Sequence, residues 1–366
     1  MTAGATESGT TARRAAHADL PAAHFRSLAG LTVSSIGLGT YLGEEDDVTD
    51  RAYGEAIVDA VNLGCNFLDT AINYRAQRSE RVIGQALLLL ERELGIARDQ
   101  LVVCTKGGYI PFDGAVAPDP SQYVRDTWIR TGVLRPEDVV GGAHVMTPRW
   151  FEDQIARSLR NLGVAAVDLY YVHNPETQLG TVARPEFLRR IRAAFELLEG
   201  QVAAGRIGCY GVATWNGFRV RPEAREHLSL AELVREAEAA GGPGHRFKAI
   251  QLPYNLAMPE AYAAATQVVD GERLTTVEAA ERLGVAVIAS ASMLQGQLSR
   301  RLPQALADAL PGLETAAQRA LQFVRSTPGI TSALVGMSRR AHVAENLAVA
   351  RVEPMPAGVA SLYQRA

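Results

Sequence analysis

Short apolar runs alternate with longer amphipathic segments along most of the chain. Eight runs have the length and composition of buried β-strands, and they span residues 33–39, 66–69, 101–106, 167–173, 207–213, 247–254, 285–291 and 332–337. Between them, apolar residues recur at intervals of three and four, which predicts helices over residues 51–64, 79–94, 148–163, 189–205 and 339–350. Three of these helices end in a glycine, as a left-handed C-cap favours, namely Gly64, Gly163 and Gly205.

This alternation predicts a parallel sheet, because parallel neighbours must be joined by a crossover connection. Eight such units in 366 residues predict one domain, a closed α/β barrel of the (β/α)8 or TIM type, over residues 25–366. An open doubly wound sheet is the alternative, but no G-x-G-x-x-G motif follows an early strand. Residues 1–24 are rich in small and polar residues, and we predict that they form a disordered tail.

Polar side chains stand where several predicted strands end, which is the place where barrels of this type carry their catalytic groups. In NFLDTAINYRAQRSE, residues 66–80, Asp69 ends the second strand and Tyr74 lies in the loop after it. Lys106 ends the third strand and His173 ends the fourth. Each residue alone has an ordinary structural explanation, such as helix capping or packing. Four of them at consecutive strand ends predict a catalytic site.

The chemistry of this set follows from its charges. The chain has only two lysines, Lys106 and Lys248, and a buried ammonium at the end of a strand requires a carboxylate partner such as Asp69. An ammonium near a phenol lowers the phenol's pKa from about 10, so Tyr74 is expected to act as a general acid. His173 can orient the same substrate oxygen. Such a set suits carbonyl reduction by hydride from a cofactor.

Composition limits the classes of binding partner and the cellular location that we expect for this protein. A formal charge of −3 provides no basic excess for nucleic acid. No apolar run approaches the roughly 20 residues of a membrane span, and the N-terminus lacks the apolar core of a signal peptide. The isolated cysteines Cys65, Cys104 and Cys209 are typical of buried thiols in a reducing compartment. We therefore expect a cytoplasmic enzyme with a small-molecule substrate and no metal.

From about Phe25 to Leu347 the chain resembles the aldo-keto reductase family. The motifs NFLDTAINY followed by SERVIGQAL, then LVVCTK, then RSLRNLGVAAVDLYYVHNP carry this resemblance. The resemblance implies a (β/α)8 barrel that reduces aldehydes or ketones with NAD(P)H. It assigns Tyr74 as the acid, Lys106 as the modulator of its pKa, Asp69 as the partner of the lysine and His173 as the residue that orients the substrate.

The expected cofactor contacts depart from the family pattern in places. Ala213 and Thr214 replace the usual Ser-Asn pair, Ser290 stands where a stacking tyrosine is common, and Gln251 is retained. In LVGMSRRAHVAENL, Ser338 is expected to cap a helix and bind phosphate. The cofactor residues implied by the resemblance are Gly39, Thr40, Thr214, Gln251, Ser290, Gly336, Ser338, Arg339, His342, Glu345 and Asn346.

The choice between the two cofactors depends on charge near this C-terminal segment. Arg339 and Arg340 would suit the 2′-phosphate of NADP(H), which favours NADPH while NADH stays possible. The alternative is that both arginines are solvated charges at the start of a helix.

Residues 107–147 form an insert after the third strand that is much longer than the 2–6 residues typical of such a loop. We expect this insert to form a lid or pocket wall, or else to contact a neighbouring subunit or only lengthen the rim of the barrel. The candidate pocket residues within it are Tyr109, Phe112, Trp128 and His144, and those outside it are Tyr41, Asn174 and Trp215. Arg75 and Arg78 either meet an acidic substrate at the mouth or face water.

Three functions fit these observations. The favoured one is an NADPH-dependent aldo-keto reductase that acts on a hydroxylated or acidic carbonyl compound. The altered carboxamide and stacking positions also allow a redox-neutral epimerase or dehydratase with a retained cofactor. A non-enzymatic NADP(H)-sensing subunit is the third, although a sensor has no need of Tyr74. The substrate, the direction of reaction and the oligomeric state stay open.

Overall fold

The computed structural model describes residues 4–300 and 302–364. In this part of the chain the strands are β1 (Phe25–Leu28), β2 (Leu31–Ser34), β3 (Ile36–Gly39), β4 (Phe67–Asp69), β5 (Val102–Gly107), β6 (Val167–His173), β7 (Ile207–Ala213), β8 (Phe247–Pro253), β9 (Gln267–Val269), β10 (Glu272–Leu274), β11 (Ala286–Ser290) and β12 (Ile330–Gly336).

Helices alternate with these strands. They are α1 (Glu7–Ala15), α2 (Asp47–Asn62), α3 (Arg78–Leu94), α4 (Pro120–Val124), α5 (Pro148–Leu162), α6 (Arg184–Ala203), α7 (Leu230–Gly241), α8 (Glu260–Ala263), α9 (Thr276–Arg282), α10 (Gln304–Ala309), α11 (Ala316–Ser326), α12 (Arg340–Leu347) and α13 (Pro356–Gln364). No helix in the described ranges combines the length and the apolarity that crossing a membrane requires.

Eight of the strands close into a parallel barrel in the order β11-β12-β3-β4-β5-β6-β7-β8, which confirms the predicted (β/α)8 fold. Two antiparallel pairs lie outside it, β1 with β2 and β9 with β10. The barrel register aligns Gly39 with both Asp69 and Gly336, and it aligns His173 with Ala213. The strands therefore end at nearly one level, and the polar residues at their ends meet on one face.

The first predicted strand, residues 33–39, is two strands separated by Ser35. The backbone N–H of Ser35 donates to the carbonyl of His24 at 2.6 Å, so the chain leaves the β1–β2 hairpin before it enters the barrel. Ser34 and Asn66 join this hairpin to the start of β4, since the Ser34 N–H donates to Asn66 Oδ1 at 2.7 Å. The hairpin thus covers the N-terminal end of the barrel, opposite the predicted site.

The disordered tail predicted for residues 1–24 is wrong for residues 4–24, and residues 1–3 lie outside the described ranges. Helix α1 begins with Thr6 as N-cap, whose hydroxyl accepts from the Gly9 N–H at 2.9 Å. Arg13, buried, donates to the Val61 carbonyl, and the Ala5 N–H donates to the Asp168 carboxylate. Polar contacts rather than an apolar stripe hold this segment, so hydrophobic periodicity does not reveal it.

The insert at residues 107–147 is folded around its own apolar cluster. Trp128 and Trp150 are fully buried, with ring centres 5.3 Å apart, and Leu134 and Val145 pack with them. Within the insert, helix α4 continues directly into a wider turn at Arg125–Ile129. This cluster seats the insert on the start of α5, beside the C-terminal end of the barrel.

Candidate active site

A cavity of about 1050 Å³ opens at the C-terminal ends of the barrel strands. Its lining comes from the ends of β3, β4, β6, β7, β8, β11 and β12 and from the insert. Sites of small ligands usually measure about 300–1,000 Å³, so this cavity has room for an extended ligand with a second small molecule beside it. It lies where barrels of this type place their active sites.

A buried ion pair lies at the floor of the cavity, where Asp69 lines the wall and Lys106 lies behind it. Lys106 is fully buried, and its Nζ donates to Asp69 Oδ1 at 2.5 Å and to the Thr70 carbonyl at 2.8 Å. The other carboxylate oxygen accepts from Gln251 Nε2 at 2.8 Å. Burial lowers the pKa of Lys106, but the charge of Asp69 and the hydrogen bond to it oppose this effect, and the net pKa lies above its ordinary value. The ammonium is therefore charged at neutral pH.

Tyr74 lies over this pair, with Lys106 Nζ 5.0 Å from the centre of its ring. The rings of Tyr41 and His173 lie 5.0 Å and 5.8 Å from it, both in edge contact. Burial raises the pKa of Tyr74 and Lys106 pulls it down, with the net result above the ordinary value. The expected net lowering is thus wrong for the protein alone, because desolvation exceeds the effect of the ammonium. Tyr74 is a protonated phenol at neutral pH.

His173 is the last residue of β6 and is 8% exposed. Burial lowers its pKa well below the ordinary value, and the charge of Lys106 lowers it further. The ring is therefore neutral and offers one N–H and one acceptor nitrogen. Its Nδ1 is buried without a hydrogen-bond partner among the described residues.

The loop after Tyr74 is strained. Arg75, Ala76 and Gln77 adopt left-handed φ angles of 47°, 51° and 70°, a conformation that costs a non-glycine residue about 1–2 kcal/mol. Arg75, with its side chain 1% exposed, donates to Asp50 at 2.5 Å and to the Glu44 carbonyl at 2.8 Å. These bonds hold the strained turn against the loop that follows β3.

The same contacts show where the two arginines lie that were candidates for binding an acidic substrate. Arg75 is bound to Asp50, and Arg78 pairs with Asp47 and Asp50. Neither side chain lines the cavity. Both arginines therefore stabilise the conformation of the loop, and neither lies at the mouth of the pocket.

All eleven residues that the resemblance assigns to a cofactor line the same cavity. Two of them carry buried polar atoms without a partner in the described residues, Thr214 Oγ1 and Asn346 Oδ1. Such atoms are costly unless a ligand or water satisfies them, so they fit a polar ligand in the cavity. Gln251 uses one N–H on Asp69 and retains its amide oxygen and its second N–H.

Two expectations about the start of α12 are wrong. The N-cap of α12 is Arg339 rather than Ser338, and no side chain caps the helix. Arg340 pairs with Asp59 on α2 at 2.5 Å and does not line the cavity, whereas Arg339 and Ser338 do. The helix starts later than expected because the chain is still extended at Arg339.

The predicted pocket residues Tyr41, Tyr109, Asn174 and Trp215 all line the cavity. Tyr41 is 57% exposed and Trp215 is 44% exposed, so both rings offer free faces at the mouth. Asn174 Nδ2 donates to the Tyr109 hydroxyl at 3.1 Å, which joins the insert to the end of β6. The insert therefore supplies part of the pocket wall.

Three other candidates in the insert do not line the cavity. Trp128 is buried in the insert's own cluster, and Phe112 packs against Tyr123 with ring centres 5.5 Å apart. His144 lies fully buried behind His173 and donates to its backbone carbonyl at 2.7 Å. An aromatic residue in a long insert is thus insufficient evidence for a pocket position.

Sequence reasoning missed two features of the site. Glu176 is buried, and its Oε1 accepts from the backbone N–H groups of Trp215 and Asn216 at 2.7 Å and 3.1 Å, which positions the loop after β7. The segment 291–297 lines the cavity and includes left-handed φ angles at Leu294 and Gln295. The only signal in the sequence was the short polar stretch QGQ at 295–297.

Charge is distributed unevenly around the cavity. The charged residues in its lining are Asp69, which is paired with Lys106, and Arg339 and Glu345 at α12. Around Tyr74 and His173 the lining is aromatic or neutral and polar. Within the described residues, no group of three or more His, Cys, Asp or Glu side chains is arranged to hold a metal.

Residues 35–362 match the model of the Aldo/keto reductase family. The NADH-specific methylglyoxal reductase of Escherichia coli (strain K12) is 28% identical over 211 residues, which are 56% of this chain and 54% of that protein. The chain thus spans about half the length of that relative. The D-threo-aldose 1-dehydrogenase of Pseudomonas sp is 26% identical over 350 residues, covering 90% of this chain and 93% of that protein.

The fold also has solved counterparts. The aldo/keto reductase from Klebsiella pneumoniae, solved in complex with NADP and acetate, superposes with a TM-score of 0.60. It is 20% identical, and the match covers 93% of this chain and 95% of that chain. This likeness concerns the fold alone.

Proposed function

Because the chain belongs to the aldo/keto reductase family, we propose that it reduces an aldehyde or ketone to an alcohol with a nicotinamide cofactor, NADPH in preference to NADH. The observation that carries this proposal is the fully buried Lys106–Asp69 pair under Tyr74, with neutral His173 beside it. A protonated phenol over a fixed ammonium is arranged to give up a proton to a developing alkoxide.

Each residue has a distinct part in this chemistry. The cofactor, when bound, supplies the hydride. Tyr74 donates its proton to the carbonyl oxygen, and the ammonium of Lys106 stabilises the resulting phenolate. Asp69 keeps Lys106 charged and in place, since an unpaired ammonium in this buried position would lose its proton. His173 uses its ring N–H to orient the carbonyl oxygen.

The residues along the cavity fit a dinucleotide. Thr214 Oγ1 and Asn346 Oδ1 are buried atoms that lack partners among the described residues, and they match the carboxamide and adenine ends of such a ligand. Ser290 offers a hydroxyl rather than an aromatic face. Arg339 lines the cavity and has no carboxylate partner in the described part of the chain, so its guanidinium is free for a 2′-phosphate. This supports NADPH.

The lining near Tyr74 supports an uncharged substrate. An anionic substrate would need a cation there, but the two nearby arginines, Arg75 and Arg78, are bound to aspartates outside the cavity. The exposed rings of Tyr41 and Trp215 and the amide of Asn174 suit a carbonyl compound with hydroxyl groups and apolar C–H faces. Hydroxylated carbonyl compounds therefore replace acidic ones as the proposed class.

The test is consumption of NADPH and NADH with matched carbonyl compounds, in the wild type and in Tyr74→Phe. Hydroxyacetone and pyruvate differ mainly in charge, and so do glycolaldehyde and glyoxylate. We expect the wild type to consume NADPH faster with the uncharged member of each pair, and Tyr74→Phe to lose at least about 100-fold in kcat. Cofactor binding without consumption on any compound would instead favour a redox-neutral or sensing role.

A further inference from the structure

His144, near the end of the insert, is fully buried and forms two hydrogen bonds through its ring. Its Nε2 lies 2.7 Å from the backbone carbonyl of His173, and its Nδ1 lies 2.8 Å from Gln178 Nε2. A carbonyl can only accept, so Nε2 carries the proton and Nδ1 accepts from the Gln178 amide. Burial, the largest effect, lowers the pKa of His144 to about 4. The ring is neutral, with a single tautomer.

This histidine belongs to a chain of hydrogen bonds that runs from α6 to the end of β6. Arg190 donates to Gln178 Oε1 at 2.6 Å, Gln178 donates to His144, and His144 donates to His173. Gln178 and His144 are both fully buried. Each donor in the series polarises the next, which strengthens and directs the final bond.

The bond from His144 reaches the peptide that sets the direction of the His173 side chain. The next residue, Asn174, has a left-handed φ of 44°, so the chain turns sharply just after His173. Asn174 then bonds Tyr109, whose ring packs edge-on against both His173 and His144 at 5.2 Å and 5.0 Å. The insert therefore contacts His173 through its backbone and its ring.

The insert is shaped for this approach. Tyr109 and His144 pair as an antiparallel bridge, and Gly108 leaves space between them and β6. A Cβ at Gly108 would lie 2.9 Å from the His173 carbonyl and 3.1 Å from His144 Nε2, and its φ of +145° also favours glycine. Only a residue without a side chain permits the ring of His144 to reach the carbonyl.

We propose that His144 is a positioning residue for His173, and that the insert contributes to catalysis through this bond as well as through the pocket wall. The proposal rests on the carbonyl-reductase function proposed above, in which His173 orients the substrate oxygen. His144 itself does not line the cavity, so its effect on the reaction passes through His173.

Three variants separate positioning from simple stability. His144→Phe keeps the ring shape and removes both hydrogen bonds. His144→Gln restores a donor and an acceptor at similar reach. Trp128→Phe weakens the insert's own cluster, which includes neither His144 nor His173, and serves as the matched control. Gln178→Met removes the donor to His144 and provides a second way to perturb the bond if His144→Phe does not fold.

The first measurement compares the effect of each variant on kcat with its effect on the Kd for NADPH. We expect His144→Phe to lower kcat about 10–100-fold, the scale associated with a misplacement of about 1 Å, with the Kd for NADPH changed less than about twofold. His144→Gln should recover most of kcat, and Trp128→Phe should retain it even with a lower Tm. Equal kcat losses in His144→Phe and Trp128→Phe, or unchanged kcat in His144→Phe, would overturn the proposal.

The second readout does not depend on turnover. In protein labelled with 15N-histidine, the ring signal of His173 should shift or split in His144→Phe and in Gln178→Met, and stay unchanged in Trp128→Phe. An unshifted His173 signal in both of the first two variants would refute positioning. If the wild type reduces no carbonyl compound, the reductase function fails, while these spectra still decide whether His144 orients His173.

Discussion

The buried pair beneath Tyr74 allows the most demanding test of how this site is built. Lys106→Met would leave the Asp69 carboxylate, itself 3% exposed, with Gln251 as its one remaining side-chain donor among the described residues. Removing one partner of a buried ion pair costs about 3–5 kcal/mol, because the other charge stays desolvated and unpaired. The variant should therefore be less stable and also unable to stabilise the phenolate of Tyr74.

The size of the thermal effect follows from the length of the chain. Unfolding entropy of about 2.1 cal/mol/K per residue gives about 0.8 kcal/mol/K for 366 residues. A loss of about 3–5 kcal/mol then lowers Tm by about 4–6 °C. Differential scanning calorimetry at pH 7 resolves a shift of this size.

The double variant Asp69→Asn/Lys106→Met removes both charges. Because no unpaired charge is then buried, we expect it to regain about 2–3 kcal/mol relative to the sum of the two single losses. Turnover should not recover, since Lys106 is needed in the reaction. Lys248→Met is the control, because the chain's other lysine is half-buried and has no ion-pair partner among the described residues. A Tm for Lys106→Met within about 1 °C of wild type, or strictly additive single losses, would show that the two buried charges do not depend on each other for stability.

Three other predictions concern acid stability, the strained loop and the cofactor. Burial, and to a smaller extent the charge of Arg325, lowers the pKa of His24 to about 3. The neutral His24 ring therefore contributes its full stabilisation to the folded protein above pH 6.5, and this contribution is lost as the pH falls toward 3. Between pH 6.5 and 4.5 this is about 2–3 kcal/mol, and His24→Gln should reduce the decline in the free energy of unfolding by that amount; an equal decline in the two proteins would contradict it. Arg75→Ala should lower the free energy of unfolding by about 2–3 kcal/mol and reduce kcat, and Arg78→Ala, the control, should have a smaller effect. Equal Tm values for the two variants would argue against a role of Arg75 in holding the loop. Arg339→Gln should raise the Kd for NADPH about tenfold and leave that for NADH unchanged in fluorescence titrations, whereas an equal rise for both would remove the phosphate role.

Much of the architecture could be predicted because it depends on local patterns. The barrel strands lie within about three residues of the predicted runs, since short apolar runs between amphipathic helices are a strong signal. The meeting of Asp69, Lys106 and His173 also follows from topology alone. Parallel strands in a closed barrel end on one face, so residues at those ends must be neighbours.

The features that escaped prediction depend on contacts between distant segments. Helix α1 is held by polar bonds to Val61 and Asp168, which leave no hydrophobic periodicity in the sequence. The role of His144 depends on how the insert folds back against β6. The net pKa of Tyr74 depends on how much burial opposes Lys106, and the amount of burial is a property of the folded cavity.

The central claim is direct hydride transfer with Tyr74 as the proton donor. Its most direct test is NADPH carrying deuterium on the transferable position of nicotinamide C4, incubated with the uncharged hydroxylated carbonyl compounds and followed by mass spectrometry of the products. We expect one deuterium on the carbinol carbon of the alcohol with the wild type, and a rate at least about 100-fold lower with Tyr74→Phe. Unlabelled product, or equal rates for the two proteins, would contradict it.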